Sequence, residues 1–189
     1  LRVSKLSENI LKHCPKLKVI SRHGVGYDNV DLNYIKKNNI SLLITATANA
    51  VAVAEHVICM MLSISKNVNT YDNEVRYGNF KKNSSKIETL ELFNKEILIL
   101  GFGRIGRSLI KRCRGFDMKV KVFDPFVSKD LIENLGGAKI ENLDEGLKTC
   151  DYLSLHVPLS EKTRNMIDYS KLSIMKKNAI IINTSRGGV

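Results

Sequence analysis

Two hydrophobic patterns alternate along the chain and predict strands that follow helices. Apolar runs of four or five residues, typical of buried strands, occur at 17–20, 40–44, 97–100, 120–123, 152–156 and 179–183. Apolar residues three or four positions apart, typical of helices, occur at 5–14, 31–37, 51–64, 129–135, 143–149 and 170–175, and also after Gly106. Strands that alternate with helices indicate a parallel sheet covered by helices, which is the α/β class.

The composition changes between Thr45 and Ala50, where small and polar residues lead into the most apolar helix of the chain. We therefore predict two domains, 1–47 and 48–189. The helix at 51–64 has few polar positions, so it should be buried on more than one side, against a second domain or a second subunit. Glu55 and His56 interrupt this apolar stretch, which is also marginal in length for a bilayer, so no membrane partner is predicted.

The chain is basic, with a formal net charge of +11 over 189 residues, but its lysines are mostly scattered along the sequence. This distribution favours a solvated basic surface over a nucleic-acid partner, and leaves room for a general attraction of small anions. The four cysteines lie far apart, without the spacing of a zinc site or a disulfide framework. We expect no metal site, and reduced, mostly buried thiols in a cytoplasmic protein.

The stretch from Lys95 to Asp124 contains the strongest chemical signal. An apolar run enters the glycine pattern at 101–106, a helical pattern follows, and a second apolar run ends at Asp124, 18 residues after Gly106. Gly101 would allow a tight turn, Gly103 would let the backbone approach a pyrophosphate, and Gly106 would let the helix pack closely on the sheet. The pattern alone is weak evidence, but here strand, helix and acid are all present. A dinucleotide site is predicted.

Three further polar segments also follow predicted strands. Residues 156–158 and 184–186 lie after two strands of the later region, so these segments, the glycine pattern and Asp124 should meet beyond the carboxyl ends of one parallel sheet. Gly24 and Gly26 follow the first strand, and this loop is either a small anion-binding concavity or an ordinary turn that precedes a helix capped by Asn29 or Asp28.

Five ordered motifs resemble the D-2-hydroxyacid dehydrogenase family, which includes phosphoglycerate, glyoxylate/hydroxypyruvate, D-lactate and formate dehydrogenases. They lie at 22–31, 45–55, 76–80, 156–159 with Thr163, and 183–187. The resemblance covers essentially the whole chain. It implies a Rossmann-type doubly wound parallel sheet plus part of a flavodoxin-like substrate domain.

The resemblance also implies roles for individual residues. NAD would be bound by Gly101, Gly103, Arg104, Ile105, Gly106, Asp124, His156, Val157, Pro158, Thr163, Thr184, Ser185 and Arg186. The substrate would be bound by backbone groups of Val25 and Gly26, with Asn49 nearby. Arg186 would hold the substrate carboxylate and polarise its carbonyl, and His156 would support the loop without transferring a proton. Asp124 favours NAD over NADP, because a carboxylate repels a 2′-phosphate.

The implied function is hydride transfer between a nicotinamide cofactor and a small anionic D-2-hydroxy acid or 2-keto acid, in a homodimer. Arg22 and His23 hint at an anionic substrate, a class that includes phosphorylated acids, although a turn or packing role is as reasonable. The alternative is an NAD(H)-sensing binding module of the same fold, of the co-repressor kind.

The sequence departs from the family at both ends and near the nucleotide strand. The family's Glu and His for proton transfer would lie after Val189, so we expect a fragment of a longer dehydrogenase that is itself inactive. Asn94 replaces a usual glycine, which is tolerable because Asn adopts left-handed backbone angles more readily than most residues. Leu98 replaces another glycine inside the strand.

Overall fold

The computed structural model describes residues 4–45, 47–79 and 89–189. The chain divides into two compact units, Leu1–Asn49 and Ala50–Val189. The aromatic end of the 76–80 motif, Phe80, and the charged segment 81–86 lie outside the described residues.

The first unit is a small parallel α/β layer. Its elements are α1 (Glu8–Leu11), β1 (Val19–Arg22), α2 (Leu32–Lys37) and β2 (Ser41–Ile44). β1 and β2 pair in parallel around a core that contains Leu11, Ile20, Val30, Ile35 and Ile40.

The cap of α2 differs from the prediction. Asp31 is the N-cap, and its side chain accepts a hydrogen bond from Tyr34 N at 3.0 Å. The prediction of Asn29 or Asp28 was wrong because the helix begins later than expected. The side-chain amide of Asn29 instead donates to Ser4 O at 2.7 Å, which ties the loop to the start of the described chain.

The second unit contains one parallel sheet with helices on both faces. Its elements are α3 (Ala50–Ser65), α4 (Val68–Arg76), β3 (Glu96–Leu100), α5 (Arg104–Gly115), β4 (Lys119–Phe123), α6 (Lys129–Asn134), β5 (Ala138–Lys139), α7 (Leu143–Thr149), β6 (Tyr152–Leu155), α8 (Tyr169–Ile174) and β7 (Ile180–Asn183). The strand order is β5-β4-β3-β6-β7, and every pair is parallel. The predicted α/β class and doubly wound parallel sheet are confirmed.

The central strand β3 separates two hydrophobic cores. Ile97 and Ile99 belong to the core that includes residues of α3, α5 and α6, whereas Leu98 and Leu100 belong to the core on the opposite face, with Leu147 of α7. Successive side chains of a strand point to opposite faces, so a strand with helices on both sides must be apolar throughout. This explains why β3 reads as an unbroken apolar run, and why Leu98 is acceptable where the family has glycine.

Asn94 begins the turn into β3 with φ +58°, and its backbone N–H donates to Asp117 O at 3.2 Å. The expectation that this asparagine adopts a left-handed conformation is confirmed. Asn is among the few residues other than glycine that adopt this conformation at small cost.

α3 packs mainly against α5 within the second unit. Ala54, Val57 and Met61 are fully buried, while Val51 and Ile64 are about half exposed, at 54% and 50%. Burial on a further side of α3 therefore stays a prediction. Among the described residues, no single helix is long and apolar enough to cross a membrane, and α3 and α4 reach that length only together, as a pair bent by 63°.

All four cysteines are free thiols, and they fall into two classes. Cys113 and Cys150 are buried, and burial raises the pKa of Cys113 to about 12 and that of Cys150 to about 11. Cys14 and Cys59 are exposed, so the expectation of mostly buried thiols was wrong for half of them. Cys59 lies in α3, whereas Cys14 lies in the segment between α1 and β1.

Candidate functional site

Four of the predicted segments meet at the carboxyl edge of the sheet in the second unit. β3, β4, β6 and β7 are parallel neighbours, so the segments that follow them emerge at the same edge. These segments carry the glycine loop at 101–106, Asp124, His156 and Thr184. The predicted convergence is confirmed, and such an edge is where open parallel sheets bind ligands.

The three glycines of the loop serve different purposes. Gly101 has φ +94°, and a Cβ there would lie 2.9 Å from Val157 Cγ1, so both conformation and space require glycine. A Cβ on Gly106 would lie 2.6 Å from Gly101 O, within the contact of helix and loop. A Cβ on Gly103 would meet no protein atom within 4 Å. Gly101 and Gly106 are therefore needed by the fold, whereas the space beside Gly103 is open to a ligand.

The amino terminus of α5 provides an anion-binding surface beside this open space. Gly103 is the N-cap, and the first bond of the helix runs from Arg107 N to Gly103 O at 3.0 Å. The N–H groups before it lie outside the helical ladder, and they combine with the helix dipole to favour a phosphate. Arg104 is exposed in this first turn, which contains no acidic residue. The loop therefore fits the pyrophosphate of a dinucleotide.

The carboxylate of Asp124 holds two backbone segments at the end of β4. One oxygen accepts from Phe102 N at 2.7 Å, inside the glycine loop, and the other accepts from Phe126 N at 2.9 Å. Each carboxylate oxygen has a second lone pair, so these bonds leave acceptor capacity for ribose hydroxyls. The bond to Phe126 is an Asx turn, which the Asp-Pro-Phe sequence itself suggests. Local sequence contains no signal for the bond to Phe102.

His156 joins the end of β6 to the loop after β7. Its Nε2 lies 2.8 Å from Ser154 Oγ, and its Nδ1 lies 3.3 Å from Thr184 Oγ1. Burial lowers the pKa of His156 to about 4, so the imidazole is neutral at physiological pH. A neutral ring with a hydrogen-bond partner at each nitrogen can hold the loop after β7 in place, without transferring a proton. Sequence reasoning missed Ser154, which reads as an ordinary position in a buried strand.

The segment after β6 is closed by Thr163. Its hydroxyl donates to Pro158 O and accepts from Ser160 N at 2.8 Å. The side chain of Val157 packs against Gly101 of the glycine loop, where a Cβ would lie only 2.9 Å from Val157 Cγ1. Two of the predicted cofactor residues, Val157 and Thr163, therefore shape the edge of the site through the backbone around them.

The loop after β7 carries Arg186 and is dense in hydrogen bonds. The Asn183 side-chain oxygen accepts from Ser185 N at 2.9 Å and Ser185 Oγ at 2.8 Å, and its NH₂ donates to Arg186 O at 2.9 Å. Arg186 is half-buried, and its Nη1 donates to Ser185 O at 2.8 Å. The guanidinium is a planar, permanently charged group suited to carboxylates and carbonyl oxygens.

An open depression of about 410 Å³ lies next to the end of β7. It is lined by Ala52, Val53, His56, Met60, Asn183 and Thr184. The depression extends the carboxyl edge of the sheet toward α3. Within 4–45, 47–79 and 89–189, no group of three or more His, Cys, Asp or Glu side chains is arranged to hold a metal.

The candidate substrate loop in the first unit is held from two sides. Gly24 has φ +124°, and its N–H donates to Thr45 Oγ1 at 2.7 Å. Arg22 is 7% exposed, and its Nε donates to Gly26 O. Arg22 therefore braces the loop, which favours the packing interpretation of this residue. His23 is exposed.

Asn49 has an unusual environment for an amide. Its side-chain oxygen is buried, and no described residue donates a hydrogen bond to it. A buried acceptor without a partner is costly, so such an atom is a candidate for contact with a ligand.

A parallel sheet in this order, with a glycine loop, an acid after the next strand and a helix terminus beside open space, defines a dinucleotide-binding domain of the Rossmann type. Residues 58–189 match the family described as the D-isomer specific 2-hydroxyacid dehydrogenase, NAD binding domain. The chain belongs to this family. The resemblance inferred from the motifs is confirmed, and so is NAD as the cofactor of this domain family.

Relatives of known name support this assignment. The chain is 37% identical to a glyoxylate reductase of Thermococcus litoralis, covering 100% of this chain and 58% of the relative. It is 33% identical to a D-3-phosphoglycerate dehydrogenase of Methanocaldococcus jannaschii, covering 98% and 35%. The D-lactate dehydrogenase of Aquifex aeolicus, solved with NAD and lactic acid, superposes with a TM-score of 0.86 at 36% identity, covering 97% and 54%.

These relatives are named as dehydrogenases and reductases, which does not favour the alternative of a co-repressor-like binding module. The chain spans 35% to 58% of the length of the two curated relatives.

Proposed function

We propose that the protein containing this chain is an NAD-dependent oxidoreductase that interconverts a D-2-hydroxy acid and the corresponding 2-keto acid. The observation that carries this proposal is the meeting of the glycine loop, Asp124 and the Arg186 loop at one edge of a parallel sheet. NAD accepts or donates the hydride when bound. The chain's own residues position the two reactants and stabilise charge on the substrate.

The cofactor would lie along the carboxyl edge of the second unit. The pyrophosphate would contact Gly103 and the first turn of α5, including Arg104, Ile105 and Gly106, because that surface combines open space with a positive helix terminus. Asp124 would accept hydrogen bonds from the adenosine ribose. The segments after β6 and β7 would line the remaining length, through Val157, Pro158, Thr163, Thr184 and Ser185.

Arg186 would bind the substrate through its guanidinium. Two parallel N–H donors can hold a carboxylate, and a donor beside the ketone oxygen would stabilise the negative charge that develops there as hydride arrives. Removal of one such donor typically lowers kcat by about 100- to 1,000-fold. In the first unit, we propose that backbone groups of Val25 and Gly26, together with Asn49, bind the substrate carboxylate.

The substrate class is a small 2-keto acid such as glyoxylate or hydroxypyruvate, named in relatives that share 37% and 34% of their residues with this chain over the aligned lengths. The test is NADH oxidation by the complete protein with glyoxylate, hydroxypyruvate, pyruvate and 3-phosphohydroxypyruvate. We expect turnover with at least one of them, and a loss of about 100-fold in kcat/KM for Arg186→Lys, which keeps the charge but not the planar fork. Absence of turnover with the whole panel would refute the proposal.

We also propose a homodimer formed through α3 and α4. Apolar side chains on these helices remain exposed in the chain, including Val51, Ile64, Val75 and Tyr77. A sedimentation measurement of the complete protein that finds only monomer would contradict this. A cytoplasmic location is likewise a proposal, supported by four cysteines that are all free thiols.

A further inference from the structure

We infer that Asn183 is a positioning residue that sets the conformation of Arg186. This inference rests on the proposed function, in which Arg186 binds the substrate, and it assigns a role to a side chain that would not itself contact the reacting atoms. Asn183 is the last residue of β7, so it is attached to the sheet, whereas Arg186 lies in the loop three residues later.

The side-chain amide of Asn183 bonds to Ser185 and to the backbone carbonyl of Arg186, which together set the position of the Arg186 backbone. Its oxygen accepts two bonds from Ser185, at 2.9 Å from the backbone N and 2.8 Å from Oγ, and its nitrogen donates to Arg186 O at 2.9 Å. Both lone pairs of the oxygen and one of the two N–H donors are therefore used. These bonds hold the backbone before and after the Cα of Arg186, at Ser185 N and at Arg186 O.

Ser185 connects the brace to the guanidinium. Its N–H is held by Asn183, and its carbonyl oxygen accepts from Arg186 Nη1 at 2.8 Å. The backbone N–H of Ser185 is therefore held by Asn183, and its C=O is held by the guanidinium of Arg186. A rotation of the 185–186 segment would break bonds at both ends, so the guanidinium direction depends on the amide of Asn183.

The residue type matters, because a side-chain amide offers an acceptor oxygen and a donor nitrogen bonded to the same carbon. Aspartate could accept from Ser185 but could not donate to Arg186 O. Alanine would leave all three bonds unmade. A small displacement of a group that orients a substrate can lower the rate by roughly 100-fold, and the loss should be larger in catalysis than in cofactor affinity.

The test compares Asn183→Ala and Asn183→Asp with the unaltered complete protein, using the 2-keto acid that it turns over best. For Asn183→Ala we expect kcat/KM to fall by roughly 10- to 100-fold, with a smaller change in the NADH dissociation constant. Asn183→Asp should recover part of this loss, because it keeps the acceptor for Ser185. Asn178→Ala, an exposed asparagine just before the opposite end of β7, is the matched control and should leave kcat/KM unchanged.

A double-mutant cycle separates positioning from a general structural role. If Asn183 acts through Arg186, then Asn183→Ala should cost less than about threefold in an Arg186→Lys background, because the planar fork is already lost. An equal loss in both backgrounds, an unchanged kcat/KM, or a weakening of NADH binding as large as the loss in kcat/KM would overturn the inference. A complete protein without any turnover would instead refute the proposed function, and this inference with it.

Discussion

The carboxylate of Asp124 accepts a hydrogen bond from the backbone N–H of Phe102 at 2.7 Å, so the acid at the end of β4 holds the glycine loop that follows β3. The residue proposed to bind the ribose is therefore also part of the support for the phosphate loop. Changes at Asp124 should affect both parts of the cofactor, but by separable amounts.

Asp124→Asn should relax the preference for NADH over NADPH. Asparagine keeps an oxygen that can accept from Phe102 N but removes the charge that repels a 2′-phosphate. We expect NADH to bind about 10- to 100-fold more weakly, the range for loss of a hydrogen bond to a charged group, while NADPH loses less or gains. Fluorescence titration with both cofactors measures this, and an unchanged ratio of the two affinities would contradict the role of Asp124.

Gly103→Ala and Gly106→Ala should separate cofactor binding from stability. The new Cβ at 103 meets no protein atom within 4 Å, so the free energy of unfolding should change by less than about 0.5 kcal/mol, while NADH binding weakens as the methyl enters the phosphate space. The new Cβ at 106 would lie 2.6 Å from Gly101 O, so that variant should lose about 1–3 kcal/mol of stability. Urea unfolding and NADH titration of both variants provide the comparison. Equal effects on stability would be inconsistent with this division.

His156 should make the protein less stable in acid. Burial lowers its pKa from 6.5 to about 4 in the folded state, so the unfolded chain binds a proton at higher pH than the folded chain does. The contribution of the neutral ring is fully present above pH 6.5 and is lost as the pH falls toward 4, by up to about 3 kcal/mol. Gln at position 156 cannot titrate. The difference in unfolding free energy between about pH 7.5 and about pH 4.5, which spans most of this window, should therefore be smaller for His156→Gln. Identical pH dependence would exclude His156 as its source.

The cysteines should react with a thiol reagent in two phases. Cys14 and Cys59 are exposed and should be modified in the folded protein, whereas Cys113 and Cys150 are buried with pKa values raised by burial and should react only after unfolding. Mass spectrometry of peptides after brief labelling, with and without denaturant, distinguishes the four sites. Rapid native labelling of Cys113 would show that the packing of α5 on the sheet is looser than described.

The dinucleotide site could be predicted from the sequence because its requirements are local. The strand before Gly101, the helix after Gly106 and the acid at position 124 are consecutive in the chain, and each has its own hydrophobic period or residue type. The left-handed conformation of Asn94 was expected because the family has a glycine at this position, and Asn adopts that conformation more readily than most residues. The cap of α2 was not, because Asp28, Asn29 and Asp31 are all good capping residues, and only the point where the backbone becomes helical selects among them.

What the sequence by itself determined was the alternation of strands and helices, the class of cofactor and the residues that end each strand. What only the tertiary structure decided was which residues distant in the chain touch: Asp124 with Phe102, and His156 with Thr184. Periodicity and residue type report the environment of one segment at a time. The order of the strands and the packing around each loop set the distances between side chains, and hydrogen bonds depend on those distances.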